Sequence, residues 1–242
     1  MKEYGIIGKS LSHSFSPKYF NNKFGVLGLE AHFEIFEIPH IESFKQIIAQ
    51  HRALAGLCVT IPYKELIMPY LDEIDPVAAD IGAVNCIQFK QGKLKGYNTD
   101  ISGFVNSLVP ILPAVPVKAL VLGTGGASKA VLKGLESLGI PYTLVSRMVS
   151  ASAITYADVD ATLLSAHKLI INTTPLGTFP EVHTFPDLPY AVLSDQHILY
   201  DLVYNPAETA FLQKGKAAGA VLKNGLEMLE LQAEANWRIW NE

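Results

Sequence analysis

A glycine-rich turn, GTGGASKA at residues 123–130, constrains the fold of this chain more than any other stretch. It follows the apolar run KALVL and opens the amphipathic pattern KAVLKGLESLG, and a second apolar run, PYTLVSR, comes next. A strand, a glycine turn, a helix and a second strand in this order begin a parallel βαβ unit. The sequence therefore predicts a Rossmann-like domain built around this turn.

The same turn has the features of a dinucleotide-binding site. Gly123 permits a tight turn, Gly125 and Gly126 expose bare backbone to a pyrophosphate, and the helix N-terminus adds partial positive charge. Ser128 stands where the common fingerprint has its third glycine. A glycine turn without a ligand therefore stays open as an alternative.

The second strand of this unit ends at Ser146-Arg147. An NAD enzyme places Asp or Glu at this point to hold the ribose hydroxyl. A guanidinium suits a 2′-phosphate instead, through bidentate and charge-assisted hydrogen bonds. We expect NADP (NADPH) rather than NAD as the cofactor, with a merely solvated Arg147 as the alternative.

The chain changes character at PILPAVPVK, residues 110–118, where three prolines surround a short linker. Its 242 residues are enough for two modest domains. Before the linker, short apolar runs alternate with helical patterns over residues 17–27 and 41–50, and AVNCIQFK and KLKGYN read as a hairpin. The sequence predicts an α/β protein of two lobes.

Charge and composition exclude several classes of protein. The 19 basic and 23 acidic residues give a formal net charge of -4 without a basic block, which argues against nucleic-acid binding. No stretch approaches the roughly 20 apolar residues of a membrane span, and the first residues do not resemble a signal peptide. Neither Cys58 nor Cys86, nor the spacing of the seven histidines, has a metal-binding pattern. We expect a cytoplasmic protein with buried thiols and no metal.

Polar residues in the first lobe cluster at the predicted ends of strands, where ligands bind in open α/β sheets. Lys64 and Asp100 are a possible proton-donating pair for reduction of a carbonyl, with an ordinary surface charge as the alternative for each. The polar residues at these strand ends are Ser14, Ser16, Thr60, Lys64, Asn85, Asn98, Thr99 and Asp100.

The stretch SHSFSP places hydroxyl groups beside a predicted helix start. Ser16 is the expected N-cap and Pro17 the expected first helical residue. The hydroxyls of Ser14 and Ser16 would then stand at a positive helix end, available to a carboxylate. For His13 we expect a local packing or turn role.

Seven motifs occur along the chain in the order SHSFSP, VTIPYK, GAVN, YNTD, GTGGASKA, NTTPLG and NGLEMLELQ. In these motifs, and over nearly its whole length, the chain resembles the shikimate dehydrogenase family. The resemblance implies NADPH-dependent reduction of 3-dehydroshikimate to shikimate, in the pathway to aromatic amino acids. It also implies a substrate-binding and catalytic domain over residues 1–101, joined by the C-terminal helix 226–242, and an NADP-binding domain over 102–225.

The resemblance carries roles to individual residues. Lys64 and Asp100 become the catalytic pair. The implied substrate-binding residues are Ser14, Ser16, Thr60, Asn85, Tyr204 and Gln232. The implied cofactor-binding residues are Gly123, Gly125, Gly126, Ala127, Ser146, Arg147, Thr173, Leu202 and Gly225. The expected partner is the small-molecule substrate, and the expected state is a monomer or homodimer.

The chain departs from the family pattern at two places. Family members commonly have Asn where this chain has Cys58, which we expect to change the packing behind Thr60 more than the chemistry. After Arg147 they continue with Thr and a second Arg that opens a long helix. Here the chain reads MVSASAITYADVDATLLSAHK, so we expect a shortened or absent helix and a smaller preference for NADP.

Three alternatives stay open. The first is a quinate/shikimate dehydrogenase that uses NAD or NADP. The second is a metabolite sensor that binds without turnover. The third is a folate dehydrogenase of similar build, which would lack the serine pair and the NTD stretch.

Overall fold

The computed structural model of the chain describes residues 1–12 and 14–242, so His13 lies outside the described residues. The described chain divides into two units. Unit 1 comprises Met1–Thr99 and Ala233–Glu242, and unit 2 comprises Asp100–Gln232. Within the described residues, no helix is long and apolar enough to cross a membrane.

Unit 1 is built on a mixed sheet. Strands β1 and β2 pair in parallel, as do β1 and β3, whereas the next strand of the sheet runs antiparallel to both of its neighbours. Its strands, in chain order, are β1 (Lys2–Gly8), β2 (Ala31–Glu37), β3 (Leu54–Val59), β4 (Glu73–Ile74), β5 (Cys86–Lys90) and β6 (Lys93–Tyr97). In the sheet they lie in the order β2-β1-β3-β5-β6-β4.

The predicted hairpin is confirmed as β5 and β6. Gln91 and Gly92 join them with φ angles of 53° and 77°, the left-handed conformation that a two-residue hairpin turn requires. The helices of unit 1 before the hairpin are α1 (Ser16–Val26), α2 (Phe44–Gln50), α3 (Tyr63–Leu66) and α4 (Pro76–Ile81), with 3-10 turns at Ile41–Ser43 and Met68–Tyr70.

The expected N-cap of α1 is wrong. Ser16 is the first helical residue, and Phe15 precedes it with helical φ and ψ of -69° and -42° and without a side-chain capping bond. The carbonyl of Phe15 accepts a hydrogen bond from Tyr19 N at 3.2 Å, so the helix starts one residue earlier than the hydroxyl pattern indicates. Pro17 still lies in the first turn, where its missing N–H costs nothing.

Unit 2 contains a sheet of parallel strands in the order β12-β11-β10-β7-β8-β9. This arrangement confirms the predicted Rossmann-like α/β class. Its strands are β7 (Ala119–Leu122), β8 (Tyr142–Ser146), β9 (Ile154–Thr155), β10 (Leu169–Asn172), β11 (Ile198–Asp201) and β12 (Val221–Lys223). Its helices are α5 (Asp100–Leu108), α6 (Gly126–Ser137), α7 (Ala161–Ala166) and α8 (Ala210–Ala217), with 3-10 turns at Val109–Ile111, Tyr156–Asp158 and Tyr190–Val192.

The central strands of unit 2 are buried on both faces, as expected for a parallel sheet. Alternate residues enter two separate cores: Val121 and Ile171 pack with Phe104 of α5, whereas Leu120 and Ile170 pack on the opposite face. The opposite core also receives α7 and α8.

The segment after β8 differs from a usual βαβ crossover, in which a connection of a dozen or more residues, usually an α-helix, links parallel strands. Residues 147–153 connect β8 directly to β9, and Val145 pairs with Ile154 in parallel. This confirms the expectation of a shortened or absent helix after Arg147. The helical turns follow β9, at Tyr156–Asp158 and in α7.

The last helix, α9 (Leu226–Asn241), is divided between the units, because its residues up to Gln232 belong to unit 2 and those from Ala233 belong to unit 1. In unit 1, Trp240 packs among Tyr4, Phe20 and Phe33.

Candidate active site

The ends of several strands meet at one edge of the unit 1 sheet. Thr60, directly after β3, donates its backbone N–H to Ile7 O at 3.0 Å, and Val59 N donates to Asn85 O at 2.8 Å. Asn85 N in turn donates to Tyr97 O at the end of β6, at 3.0 Å. Because β5 runs antiparallel to its neighbours, the residues before it lie beside the last residues of β3 and β6. Thr60 and Asn85, both predicted site residues, are therefore neighbours on this edge.

A buried chain of hydrogen bonds fixes the side chain of Asn85. Its Oδ1 accepts from Thr99 N at 2.7 Å, and its Nδ2 donates to Thr99 Oγ1 at 3.0 Å. Thr99 Oγ1 donates to Asn236 Oδ1 at 2.7 Å, and Asn236 Nδ2 donates to Cys58 Sγ at 3.3 Å. Cys58 thus accepts a polar hydrogen at the position where the family commonly has Asn. Such a network, with its polar groups paired, holds the amide in one orientation.

Lys64 is placed beside this network by its backbone. It is a half-buried residue of α3, and its carbonyl accepts from Val84 N, adjacent to Asn85, at 2.8 Å. Ser14 is half-buried, and its N–H donates to Leu11 O at 2.9 Å, whereas Ser16 is buried at the start of α1. These placements leave the roles of the three side chains as predictions.

Two predicted site residues lie in α5 and α9 of unit 2. Asp100 is the first residue of α5, and the buried Gln232 of α9 donates from Nε2 to Leu229 O at 3.0 Å. A Cβ at Gly103 of α5 would approach Met228 O to 2.6 Å and Gln232 Cβ to 3.0 Å. The glycine therefore permits close contact of the two helices, which positions Gln232.

A cavity of about 760 Å³ opens at the carboxyl ends of β7, β8 and β10 in unit 2. This is the edge where open parallel sheets bind nucleotides, and the volume is within the roughly 300–1,000 Å³ of ligand sites. The residues that line the cavity are Gly123, Thr124, Gly125, Ser146, Arg147, Met148, Tyr156, Thr173, Thr174, Pro175 and Leu176.

The glycine turn shapes the floor of this cavity. Gly123 has a φ of 104°, and a Cβ there would lie 2.9 Å from Thr173 Oγ1. A Cβ at Gly125 or Gly126 would meet nothing within 4 Å, so a ligand can approach their backbone. Ser128, in place of the third fingerprint glycine, donates from Oγ to Gly125 O at 2.6 Å and closes the turn. The turn therefore fits a pyrophosphate at the N-terminus of α6.

The far end of the cavity contains the exposed Arg147, the predicted 2′-phosphate ligand. Ser146 Oγ accepts from Met148 N at 3.3 Å and fixes the turn after β8. Tyr156 forms part of the wall. Burial raises the pKa of Tyr156, and the charge of Arg147 acts in the opposite direction. No sequence signal pointed to Met148 or Tyr156, because both follow the point where the chain departs from the family pattern.

The remaining predicted cofactor residues do not line this cavity. Gly126 and Ala127 open α6, whereas Leu202 and Gly225 touch each other elsewhere in unit 2. A Cβ at Gly225 would collide with the carbonyl of Leu202, and Gly225 N donates to the next carbonyl, that of Val203, at 3.2 Å. Tyr204 follows in the same stretch, and burial raises its pKa.

Sequence reasoning missed two groups of residues. Asn236 lies four residues after Gln232 on α9, and this helical spacing could have indicated it. Asn172 and Asp201, at the ends of β10 and β11, form a buried hydrogen-bonded pair at 2.9 Å. Nothing in the sequence joins those two residues, because they are distant along the chain. Among residues 1–12 and 14–242, no group of three or more His, Cys, Asp and Glu residues is arranged to hold a metal ion.

Comparison with known proteins gives consistent matches. The family pattern of the shikimate dehydrogenase substrate binding domain matches residues 6–87. The shikimate dehydrogenase (NADP(+)) of Bacillus cereus (strain G9842) is 38% identical in an alignment of 255 positions, which spans 98% of this chain and 91% of the relative.

Solved structures match over the whole chain. Shikimate dehydrogenase from Aquifex aeolicus superimposes with a TM-score of 0.88 at 35% identity and covers 100% of this chain and 92% of its own. Shikimate 5-dehydrogenase from Thermus thermophilus, in complex with NADP(H) and shikimate, gives a TM-score of 0.88 at 31% identity, with 99% and 93% covered. Taken with the glycine-turn cavity and the sheet-edge residues, these similarities show that the chain belongs to the shikimate dehydrogenase family.

Proposed function

We propose that this protein catalyses the reversible, NADPH-dependent reduction of 3-dehydroshikimate to shikimate, a step of aromatic amino acid biosynthesis. The observation that carries the proposal is the presence, in one chain, of the glycine-turn cavity of unit 2 and the polar sheet edge of unit 1. The names of the relatives and the NADP(H) and shikimate held by the Thermus thermophilus enzyme support it.

The residues of the cavity fit NADP. The open space before Gly125 and Gly126 admits a pyrophosphate to the N-terminus of α6, and Arg147 supplies a guanidinium for the 2′-phosphate. We assign cofactor binding to residues 102–225, which lie within unit 2, and substrate binding and catalysis to residues 1–101 with the C-terminal helix 226–242. When bound, NADPH supplies the hydride that reduces the ring ketone.

Lys64 donates the proton that the ketone oxygen needs as it becomes an alcohol, with Asp100 as the second member of the catalytic pair. The hydroxyls of Ser14 and Ser16 bind the substrate carboxylate, near Tyr204. The side chains of Thr60, Asn85 and Gln232 bind the ring hydroxyls and the surroundings of the carboxylate. The fixed amide of Asn85 supports this assignment, because a preorganised group orients a hydroxyl without an added entropy cost.

The protein is proposed to act in the cytoplasm on a small molecule, without nucleic acid, as a monomer or homodimer. The two buried thiols, Cys58 and Cys86, suit a reducing compartment. The net charge of -4 supports the absence of a nucleic-acid partner.

Loss of the Lys64 ammonium tests the mechanism. We expect Lys64→Ala to lower kcat by about 10²–10⁴, the range for a lost acid or base group, with an unchanged far-UV circular dichroism spectrum. Lys18→Ala, at an exposed position of α1, is the matched control and should retain normal turnover. Near-normal turnover of Lys64→Ala would remove Lys64 from the mechanism.

The preference for NADP over NAD is tested separately, because residues 148–153 lack the second Arg of the family. We propose that the protein prefers NADP to NAD, but by a smaller factor than family members that have the second Arg. Nicotinamide absorbance with shikimate measures kcat/KM for NADP⁺ and NAD⁺ in parallel, and equal values would refute the preference. Comparable activity on quinate would favour a quinate/shikimate dehydrogenase, and shikimate binding without turnover would favour a sensor.

A further inference from the structure

Asp201, the last residue of β11, is completely buried and is not one of the residues that line the cofactor cavity. Its carboxylate accepts three hydrogen bonds. Asn172 Nδ2 and Val203 N donate to Oδ1 at 2.9 and 3.0 Å, and Thr209 Oγ1 donates to Oδ2 at 2.5 Å. Among the residues that the structure describes, no Lys, Arg or His forms an ion pair with this carboxylate. Hydrogen bonds alone therefore compensate its buried charge.

Asn172 connects Asp201 to the wall of the cavity. Its Oδ1 accepts from Thr174 N at 3.0 Å and from Thr174 Oγ1 at 2.6 Å, and its Nδ2 also reaches Leu176 O at 3.4 Å. Thr174 and Leu176 both line the cavity. The side chain of Asn172 thus holds the loop of residues 173–176 at two points, and the bond to Asp201 fixes which way the amide faces.

We propose that Asp201 is a positioning residue for the cofactor: through Asn172 it sets the conformation of loop 173–176, and its ionised form gives the higher affinity for NADPH. The inference rests on the proposed function, because it assigns NADPH to this cavity. Because Asp201 does not line the cavity, its effect on the cofactor is indirect and passes through Asn172 and the loop.

The carboxyl group of Asp201 gains or loses its proton near neutral pH. Burial raises its pKa to about 6, although the hydrogen bonds from Thr209, Val203 N and Asn172 oppose the shift. Among the described residues, the titratable group that interacts electrostatically with Asp201 is Tyr190, from the 3-10 turn at Tyr190–Val192. Burial raises the pKa of Tyr190 strongly, so Tyr190 stays neutral over the working range.

Protonation of Asp201 changes the loop contact. A proton on Oδ2 must point at Thr209 Oγ1, which has to reverse its own hydroxyl, and the bond from Asn172 to Oδ1 loses its ionic character. Charge-assisted hydrogen bonds are roughly twice as strong as neutral ones. The Asn172 amide, and with it loop 173–176, is therefore held less firmly below pH 6.

The test is a fluorescence titration of NADPH binding, from pH 5 to pH 8, with the wild type and Asp201→Asn. Asn keeps the shape and can accept from Asn172 and Val203 N while it donates to Thr209, but it does not ionise. We expect the variant to bind NADPH about fivefold more weakly than the wild type at pH 8, since it has lost a charge-assisted bond, and the ratio to approach one at pH 5. The phosphate of NADPH also ionises near pH 6, and this effect cancels in the ratio.

A ratio that stays constant over the whole pH range would overturn the inference, whether the ratio is one or larger, because a purely structural role of Asp201 has no titration midpoint. Asp195→Asn, the same change at an exposed position before β11, should match the wild type throughout. In steady-state assays at pH 8, Asp201→Asn should raise KM for NADPH and leave kcat within about twofold, as for loss of uniform binding.

A second variant keeps the inference falsifiable if Asp201→Asn does not fold. Thr209→Val removes the hydroxyl that donates to Asp201 Oδ2 and stabilises the ionised carboxylate. In this variant, the midpoint of NADPH affinity against pH should therefore lie at a higher pH than in the wild type. An unmoved midpoint would refute the role of Asp201. A wild type that does not bind NADPH at any pH would refute the proposed function instead, so the two failures are distinguishable.

Discussion

Trp240 near the end of α9 gives the sharpest test of what stabilises unit 1. Its side chain is buried, its ring centroid lies 5.1 Å from that of Tyr4 and 5.0 Å from that of Phe20, and its Nε1 donates to Ile87 O at 3.0 Å. A Cβ at Gly56 would collide with the indole ring, which shows how closely the ring covers β3. The Trp240→Phe substitution removes the indole N–H and part of this packing.

The cost can be estimated from these contacts. Ile87 keeps its pairing with Leu57 in the β3–β5 ladder when the indole N–H is removed. We therefore count the loss of the bond from Trp240 Nε1 to Ile87 O as one net hydrogen bond, about 1 kcal/mol. Phe is smaller than Trp by about three heavy atoms, and their loss from a packed core costs about 2 kcal/mol. The sum of about 3 kcal/mol corresponds to a fall in Tm of roughly 6–12 °C in a chain of this size.

Trp237→Phe is the matched control. Trp237 is half-buried, with its ring 5.7 Å from Tyr4 and 5.6 Å from Phe24, and no hydrogen bond of its Nε1 occurs within the described chain. We expect it to cost about 1 kcal/mol or less. Both tryptophans of the protein belong to unit 1, so the emission of the remaining one follows the unfolding of this unit in urea. If Trp240→Phe costs no more than Trp237→Phe, the account of the indole contacts is wrong.

Three further predictions concern unit 2. Ser107 Oγ and Tyr200 OH are buried and 2.7 Å apart, so Ser107→Ala should lower the free energy of unfolding by about 2 kcal/mol because it leaves the phenol unpaired. In urea titrations, the double variant with Tyr200→Phe should lose clearly less than the sum of the losses of the two single variants. Burial lowers the pKa of His197 in the folded state, so the stability that its neutral form contributes is present above pH 6.5 and is lost as the pH falls through the folded pKa. His197→Gln should therefore remove this part of the dependence of Tm on pH. Gly225→Ala should lower Tm, since a Cβ collides with the carbonyl of Leu202, and an unchanged Tm would contradict that contact.

The local parts of the fold were predictable because each is encoded in a few adjacent residues. The glycine turn at Gly123, the helix after it and the hairpin at Gln91–Gly92 depend on backbone conformations that particular residues favour. The positions of Thr60 and Asn85 at strand ends also followed from local patterns. Their catalytic or binding roles stay predictions until substrates are measured.

The non-local parts were beyond sequence reasoning. The bond of Asn236 to Cys58 joins residues 178 positions apart, and the pair Asn172–Asp201 depends on which strands are neighbours in the sheet. The predicted N-cap of α1 was wrong for a local reason. Phe15 already has helical backbone angles, so Ser16 lies inside the helix although it is a favourable capping residue. Residue preference alone does not decide where a helix begins.

The division of α9 has a consequence for how the chain is made. Unit 2 is one continuous segment, whereas unit 1 needs residues 233–242, and among them Trp240, to complete its core. During synthesis from the N-terminus, unit 1 begins first but stays incomplete until these residues leave the ribosome, while unit 2 already has its whole sequence available. Since domains generally fold as units, we expect unit 2 to complete its folding before unit 1 does.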